Sequence, residues 1–112
     1  MSPLTTHVLD TATGLPAADL SLKLDRLDGS EWTPVAHGRT NHDGRVANLL
    51  APGDLHVGIW RLRFDTGAWY ATRGQTGFYP WVDVVFEVTE TTRHHHVPLL
   101  LSPYGYSTYR GS

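Results

Sequence analysis

The sequence predicts an all-β sandwich of two packed antiparallel sheets with one short helix. Three observations carry that expectation. Apolar and polar residues alternate with period two through seven or eight short runs, the pattern of strands with one buried face. Turns rich in Gly, Pro and Asp separate the runs at short intervals, as in two-sheet folds. One window alone, residues 66–73, reads as two helical turns, ended by Gly74 and Gly77.

The elements follow in order. Residues 4–10 read as a strand, and Gly14 and Pro16 mark the turn after it. Residues 20–27 place Leu20, Leu22 and Leu24 on one face, and Asp28-Gly29 closes that run. A third strand spans residues 32–40. Asn41-His42-Asp43-Gly44 then forms a tight turn, because Asp and Gly tolerate positive φ, and Arg45-Val46-Ala47 is expected to open a short strand. Residues 56–65 set His56, Trp60, Leu62 and Phe64 against Val57, Ile59, Arg61 and Arg63 on the opposite side. Residues 82–89, 94–102 and 104–109 complete the set. Pro98 lacks a ladder donor, so its strand is expected to have an edge or an irregularity there.

The chain of 112 residues is the size of one domain, assigned to residues 1–112. It has no cysteine, which excludes disulfides, thiolate metal sites and a cysteine nucleophile. Net charge is −2 and the cations are dispersed, so no basic stripe points to nucleic acid. No stretch approaches the roughly 20 apolar residues that cross a bilayer. Residues 1–7 lack the layout of a secretion signal, so a cytoplasmic location is expected.

Chemistry concentrates in histidines and in the C-terminal run. Seven histidines are present, three of them consecutive: His94, His95 and His96. In a strand His94 and His96 share a face and His95 takes the other, so the outer two are placed to share a substrate or, together with His7, a metal. His7 sits between Thr6 and Val8, where packing alone favours a β-branched residue. Arg45 follows a tight turn that fixes its backbone and aims its guanidinium. Residues 102–112 hold three tyrosines and an arginine, too much contact-making chemistry for an idle end, and are expected to be docked. A phosphate loop, a nucleophile elbow and a helical zinc motif are all absent from the sequence.

Four strings carry a resemblance: LTTHVLDTATGLPA (residues 4–17), GRTNHDGR (38–45), FYPWVDVVFEV (78–88) and HVPLLLSPYGYSTYRGS (96–112). They resemble, in order, the motifs of the 5-hydroxyisourate hydrolases, the transthyretin-related enzymes of urate degradation in purine metabolism. Leu15, Trp81 and His95 depart from the family's usual residues, the last standing where tyrosine is common.

The resemblance implies a transthyretin-like sandwich of two four-stranded sheets with one short helix. It implies a homotetramer, a dimer of dimers, with active sites in a channel across the dimer–dimer contact. The implied reaction is hydrolysis of the cyclic amide 5-hydroxyisourate to 2-oxo-4-hydroxy-4-carboxy-5-ureidoimidazoline, with no cofactor and no required metal. The motif positions imply His7, Arg45, His96 and Ser112 as catalytic, and His7, Arg45, Tyr109, Arg110 and Gly111 as substrate-binding. Histidine suits such a reaction because its ordinary pKa, about 6.5, lets it both take and give protons near neutrality. Arginine suits a carbonyl or developing oxyanion through its forked donors.

Overall fold

Leucine and valine alternation resolves into strands β1 (Leu4–Asp10), β2 (Leu15–Pro16), β3 (Ser21–Asp28), β4 (Glu31–Arg39) and β5 (Gly58–Phe64). Helix α1 (Thr66–Thr72) and strands β6 (Val82–Val88), β7 (His95–Ser102) and β8 (Gly105–Thr108) follow. The structure, a computed structural model, describes residues 2–112. Two four-stranded sheets form, ordered β2-β1-β7-β8 and β4-β3-β5-β6, as expected.

Period-two burial positions every site residue. Along β1, Leu4, Thr6, Val8 and Asp10 point into the sandwich while Thr5, His7 and Leu9 point out. Val8, Leu99 and Leu101 from one sheet meet Leu24, Trp60, Leu62 and Phe64 from the other. Each such side chain contributes roughly 1.5–3 kcal/mol by leaving water. The helix covers one end of the sandwich through Trp69 and Tyr70, and Trp69 Nε1 donates to Ala18 O at 2.7 Å.

Three expectations are corrected. The central pair β1–β7 is parallel, with Leu4 opposite His95 and Asp10 opposite Leu101. Alternation reports which face is buried and carries no information on strand direction. Arg45, Val46 and Ala47 do not open a strand. Arg45 makes only an isolated antiparallel bridge to His7, and β2 pairs with Leu9 and Asp10 further along that β1 edge. The turn after β1 contains a two-residue strand, Leu15–Pro16, folded back onto Leu9 and Asp10.

Pro98 lies in β7, an inner strand, so the edge alternative fails and the irregularity is what occurs. The β7–β8 ladder runs from Ser102 to Leu99 and lapses opposite Pro98, whose nitrogen has no hydrogen to give. Thr108 Oγ1 instead donates to Pro98 O at 2.8 Å, and pairing resumes in register when Gly111 N donates to His96 O at 2.8 Å.

Leu99 is fully buried between the sheets. Leu99→Ala is therefore expected to destabilise the protein by about 2–5 kcal/mol through lost transfer energy and the cavity left behind. Urea unfolding followed by tryptophan fluorescence measures this.

Candidate functional site

Residues almost ninety positions apart meet because β1 and β7 run side by side. Their register sets Thr5 opposite His96 and His7 opposite Pro98. Paired residues on adjacent strands share a face, so Thr5, His7 and His96 all stand on the outer surface of the sheet. Thr5 is the link: its Oγ1 lies 2.6 Å from His94 Nε2 and 2.8 Å from His96 Nδ1. His95 alternates inward, is buried, and donates from Nδ1 to Arg93 O at 2.9 Å. It is therefore a structural residue of the strand.

The second wall comes from the turn at residues 41–45. Asn41 Oδ1 accepts from Asp43 N at 2.9 Å and from Arg45 N at 3.1 Å, and Asn41 N donates to Arg45 O at 2.7 Å. Gly44 has φ +75°, and its carbonyl accepts from Val8 N at 2.8 Å, tying the turn to β1. The turn is thus closed on itself and anchored, while the Arg45 side chain is exposed over the sheet face.

The third wall is the tail beyond β8. Gly111 lies so close to His96 that a Cβ there would collide with the imidazole at Cδ2. Glu90 holds the approach to this wall from behind. Its carboxylate accepts from Thr92 N, Thr92 Oγ1 and Arg93 N at 2.8, 2.7 and 3.1 Å. It also pairs with Arg93 at 3.3 Å and with Arg110 at 3.7 Å. The Thr92 hydroxyl first, then Arg93 and the two backbone amides, pull the Glu90 carboxyl down to about 2.

Together these walls enclose an open cleft of about 670 Å³ lined by Thr5, Asn41, Arg45, His94, His96 and Ser112, with Val46 at its apolar side. Small-molecule sites commonly measure about 300–1,000 Å³. Arg45, His96 and Ser112 are thus brought together. His7 stands beside the cleft, its backbone bridged to Arg45, without lining it. Arg110 and Gly111 line an adjoining groove with Arg93, His94 and Ser112. Tyr109 does not line the cleft; it lies in a separate groove beside Val85, Phe86 and Thr108 that His96 and Arg110 also border. Among the described residues no three His, Cys, Asp or Glu side chains are grouped to hold a metal ion, so the His7, His94 and His96 set does not form one.

Thr5 and Asn41 are site residues that sequence reasoning missed. The available signal was the period of two: Thr5 shares its strand face with His7. Asn41 was recognisable as a turn former, but its closure onto Arg45 depends on a side-chain geometry that a motif does not display.

The cleft disfavours the charged form of His96. Burial lowers its pKa first, then the positive charge of Arg45, then His94 and His7, against an opposing hydrogen bond with the Thr5 backbone. A neutral imidazole next to a guanidinium offers a proton acceptor beside an oxyanion binder. That combination, built on the outer sheet of an eight-stranded two-sheet sandwich, defines a class of transthyretin-fold domains with a polar, histidine-bearing cleft.

Comparison with known proteins agrees. The model of the HIUase/Transthyretin family matches residues 4–111. A 5-hydroxyisourate hydrolase of Mus musculus is 53% identical over 113 residues, covering 99% of this chain and 96% of that protein. The crystal structure of sea bream transthyretin in complex with thyroxine superimposes with a TM-score of 0.93 at 35% identity, covering 97% of this chain and 94% of that one. The 5-hydroxyisourate hydrolase of Klebsiella pneumoniae gives 0.84 at 37% identity, covering 97% and 98%. The chain belongs to the HIUase/Transthyretin family.

Two outcomes follow from this geometry. The folded chain binds a proton at His96 less readily than the unfolded chain does, so stability is intact above the ordinary pKa of about 6.5 and declines as pH falls through the lowered folded value. His96→Asn should accordingly flatten the fall in urea midpoint between about pH 7 and 5 relative to the parent protein. A Cβ at Gly44 would meet Val8 O at 2.5 Å as well as strain the φ of +75°. Gly44→Ala should therefore lower stability by about 1–3 kcal/mol and displace Arg45, weakening ligand affinity in calorimetry along with the unfolding midpoint.

Proposed function

We propose that this protein hydrolyses 5-hydroxyisourate to 2-oxo-4-hydroxy-4-carboxy-5-ureidoimidazoline. The observation that carries the reading is the convergence of Arg45 and His96 on one cleft of substrate size. The fold alone does not decide the matter, since the sea bream relative with the same fold is a transthyretin that was crystallised with thyroxine.

Opening a cyclic amide needs a deprotonated water, a polarised carbonyl and a protonated leaving nitrogen. His96 Nε2 takes the water proton, because burial and Arg45 keep that ring neutral. The hydroxide so formed attacks the ring carbonyl. Arg45 receives the oxygen that gains charge, with its guanidinium exposed above the sheet and its backbone locked by Asn41. The C–N bond then breaks, and His7, at the rim of the cleft, gives the leaving nitrogen a proton. Ser112 and Gly111 complete the wall against which substrate is oriented, and Arg110 contributes from the adjoining groove.

We also assign a homotetrameric assembly, a dimer of dimers that closes the open side of the cleft. Supporting this, β6 and β8 are both edge strands with unpaired ladder groups, and Tyr106 and Tyr109 are exposed on or beside β8. Such an assembly gives Tyr109 a way to reach a cleft other than its own protomer's. Native mass spectrometry should show four copies of the chain.

Urate oxidase generates fresh 5-hydroxyisourate, whose ultraviolet decay the protein should accelerate well beyond the spontaneous rate. His96→Asn is expected to lower kcat by roughly 100-fold or more with a small change in KM, the scale of a lost general base. Arg45→Lys should lower kcat/KM by a similar order, because an ammonium does not reproduce the fork. Decay no faster with the parent protein than without it would overturn the assignment.

A further inference from the structure

The proton that His96 takes from water must leave before the next turnover, and the base sits where a positive charge is unwelcome. Arg45, His7 and His94 all face it. Thr5 offers a route out. Its hydroxyl is within hydrogen-bond distance of His96 Nδ1 at 2.8 Å and of His94 Nε2 at 2.6 Å. A hydroxyl has one hydrogen to give. If it gives that hydrogen to one imidazole, the other imidazole must present a hydrogen to the threonine oxygen. The tautomers of the two histidines are therefore coupled through a single atom.

We propose that His94, Thr5 and His96 form a proton relay that moves the positive charge from the base to the exposed His94 while water attacks. The inference rests on the reading of His96 as the base. At the start His96 carries its hydrogen on Nδ1, which donates to Thr5 Oγ1, and Thr5 donates to the bare Nε2 of His94. When His96 Nε2 takes a proton from water, its Nδ1 hydrogen passes to Thr5 and the threonine's own hydrogen passes to His94. His96 ends neutral, now protonated on Nε2, and the charge resides on His94. No atom gains or loses an electron pair beyond these proton transfers. Once product has left, Nε2 of His96 gives its hydrogen to the water that refills the cleft, Thr5 returns its hydrogen to His96 Nδ1 and His94 Nε2 returns one to Thr5, so each group regains its starting state and one proton has passed to solvent.

The surroundings of the three residues suit those roles. Thr5 Oγ1 is the partner of His96 Nδ1, and among the described residues none hydrogen-bonds His96 Nε2, which is left for water. His94 is exposed, whereas His96 is half-buried. The groove around His94 also holds Arg93 and Arg110, and both guanidiniums are engaged by the Glu90 carboxylate, which offsets their charge next to an imidazolium. His95 takes no part because it points into the sandwich and its Nδ1 is bound to Arg93 O. Thr5 and His94 are thus positioning residues that act through His96.

Thr5→Val keeps the branched shape on β1 and removes the hydroxyl, Thr5→Ser restores it, and His94→Gln removes the terminal acceptor. Each is compared with the parent in 5-hydroxyisourate decay between about pH 6 and 9, with unfolding midpoints recorded in parallel. Thr5→Val is expected to lose at least about ten-fold in kcat with KM within about two-fold, and Thr5→Ser to recover most of it. His94→Gln is expected to lose a comparable factor and to regain it on adding free imidazole, which replaces the missing proton acceptor. Nitrogen NMR of the two rings should show Thr5→Val altering the tautomer balance of both histidines at once.

Parent-like kcat in Thr5→Val, alongside an inactive His96→Asn, would overturn the relay while leaving the base intact. Full activity in His96→Asn would instead overturn the underlying reading of the base. A His94→Gln loss that imidazole does not restore, in a protein of parent-like stability, would also overturn the relay, since a purely structural role is insensitive to a soluble acceptor.

Discussion

The parallel register of β1 against β7 is the constraint on which the rest of the site depends. It sets Thr5 opposite His96 and His7 opposite Pro98 on one outer face, with Leu4, Val8, Leu99 and Leu101 packed beneath. A slip of β1 by one residue would turn Thr5 and His7 into the core and expose Leu4 and Val8, so burial enforces the chemistry above it. Hydrophobic packing thereby specifies the position of polar groups that make no contribution to the core themselves.

Electrostatics gives that arrangement its direction. Burial weighs most on His96 and the Arg45 charge adds to it, so the ring favours its neutral form. Glu90 is the compensating anion on the far side, holding Arg93 and Arg110 and gathering the turn that leads into β7. The opposite sheet has its own ion pairs, with Asp25 taking Arg61 at 2.8 Å and Asp83 taking Arg63 at 2.6 Å. Arg61 and Arg63 also lie over Trp32 and Trp81, respectively. Those arginines are neutralised and stacked, while Arg45, without a carboxylate partner among the described residues, retains its charge for a ligand.

Much of the fold was legible because it depends on local period and turn chemistry. The leucines of β3, the Trp60, Leu62 and Phe64 face of β5 and the Asn41 to Gly44 turn all formed as their patterns predict. The parallel direction of β1 on β7 was not legible, since alternation is the same in either direction. Pro98 illustrates the boundary between the two. Its missing hydrogen predicted a disturbed ladder, yet only the sheet order shows that the disturbance falls on an inner strand and releases Tyr109 and Arg110 from pairing before Gly111 rejoins His96.

For the candidate site, residue types and motifs singled out His7, Arg45, His96 and Ser112, and the same-face placement of His94 and His96 followed from the strand period. By itself the sequence determined which side chains share a strand face, because that is a property of the backbone repeat. Tertiary structure decided which of those faces meet. It brought Thr5 between two histidines, set Arg45 over them, left His7 at the rim and placed Tyr109 in a separate groove. The physical reason is that hydrogen-bond partnership and charge proximity depend on distances between segments remote in sequence, and those distances exist only once the two sheets have packed.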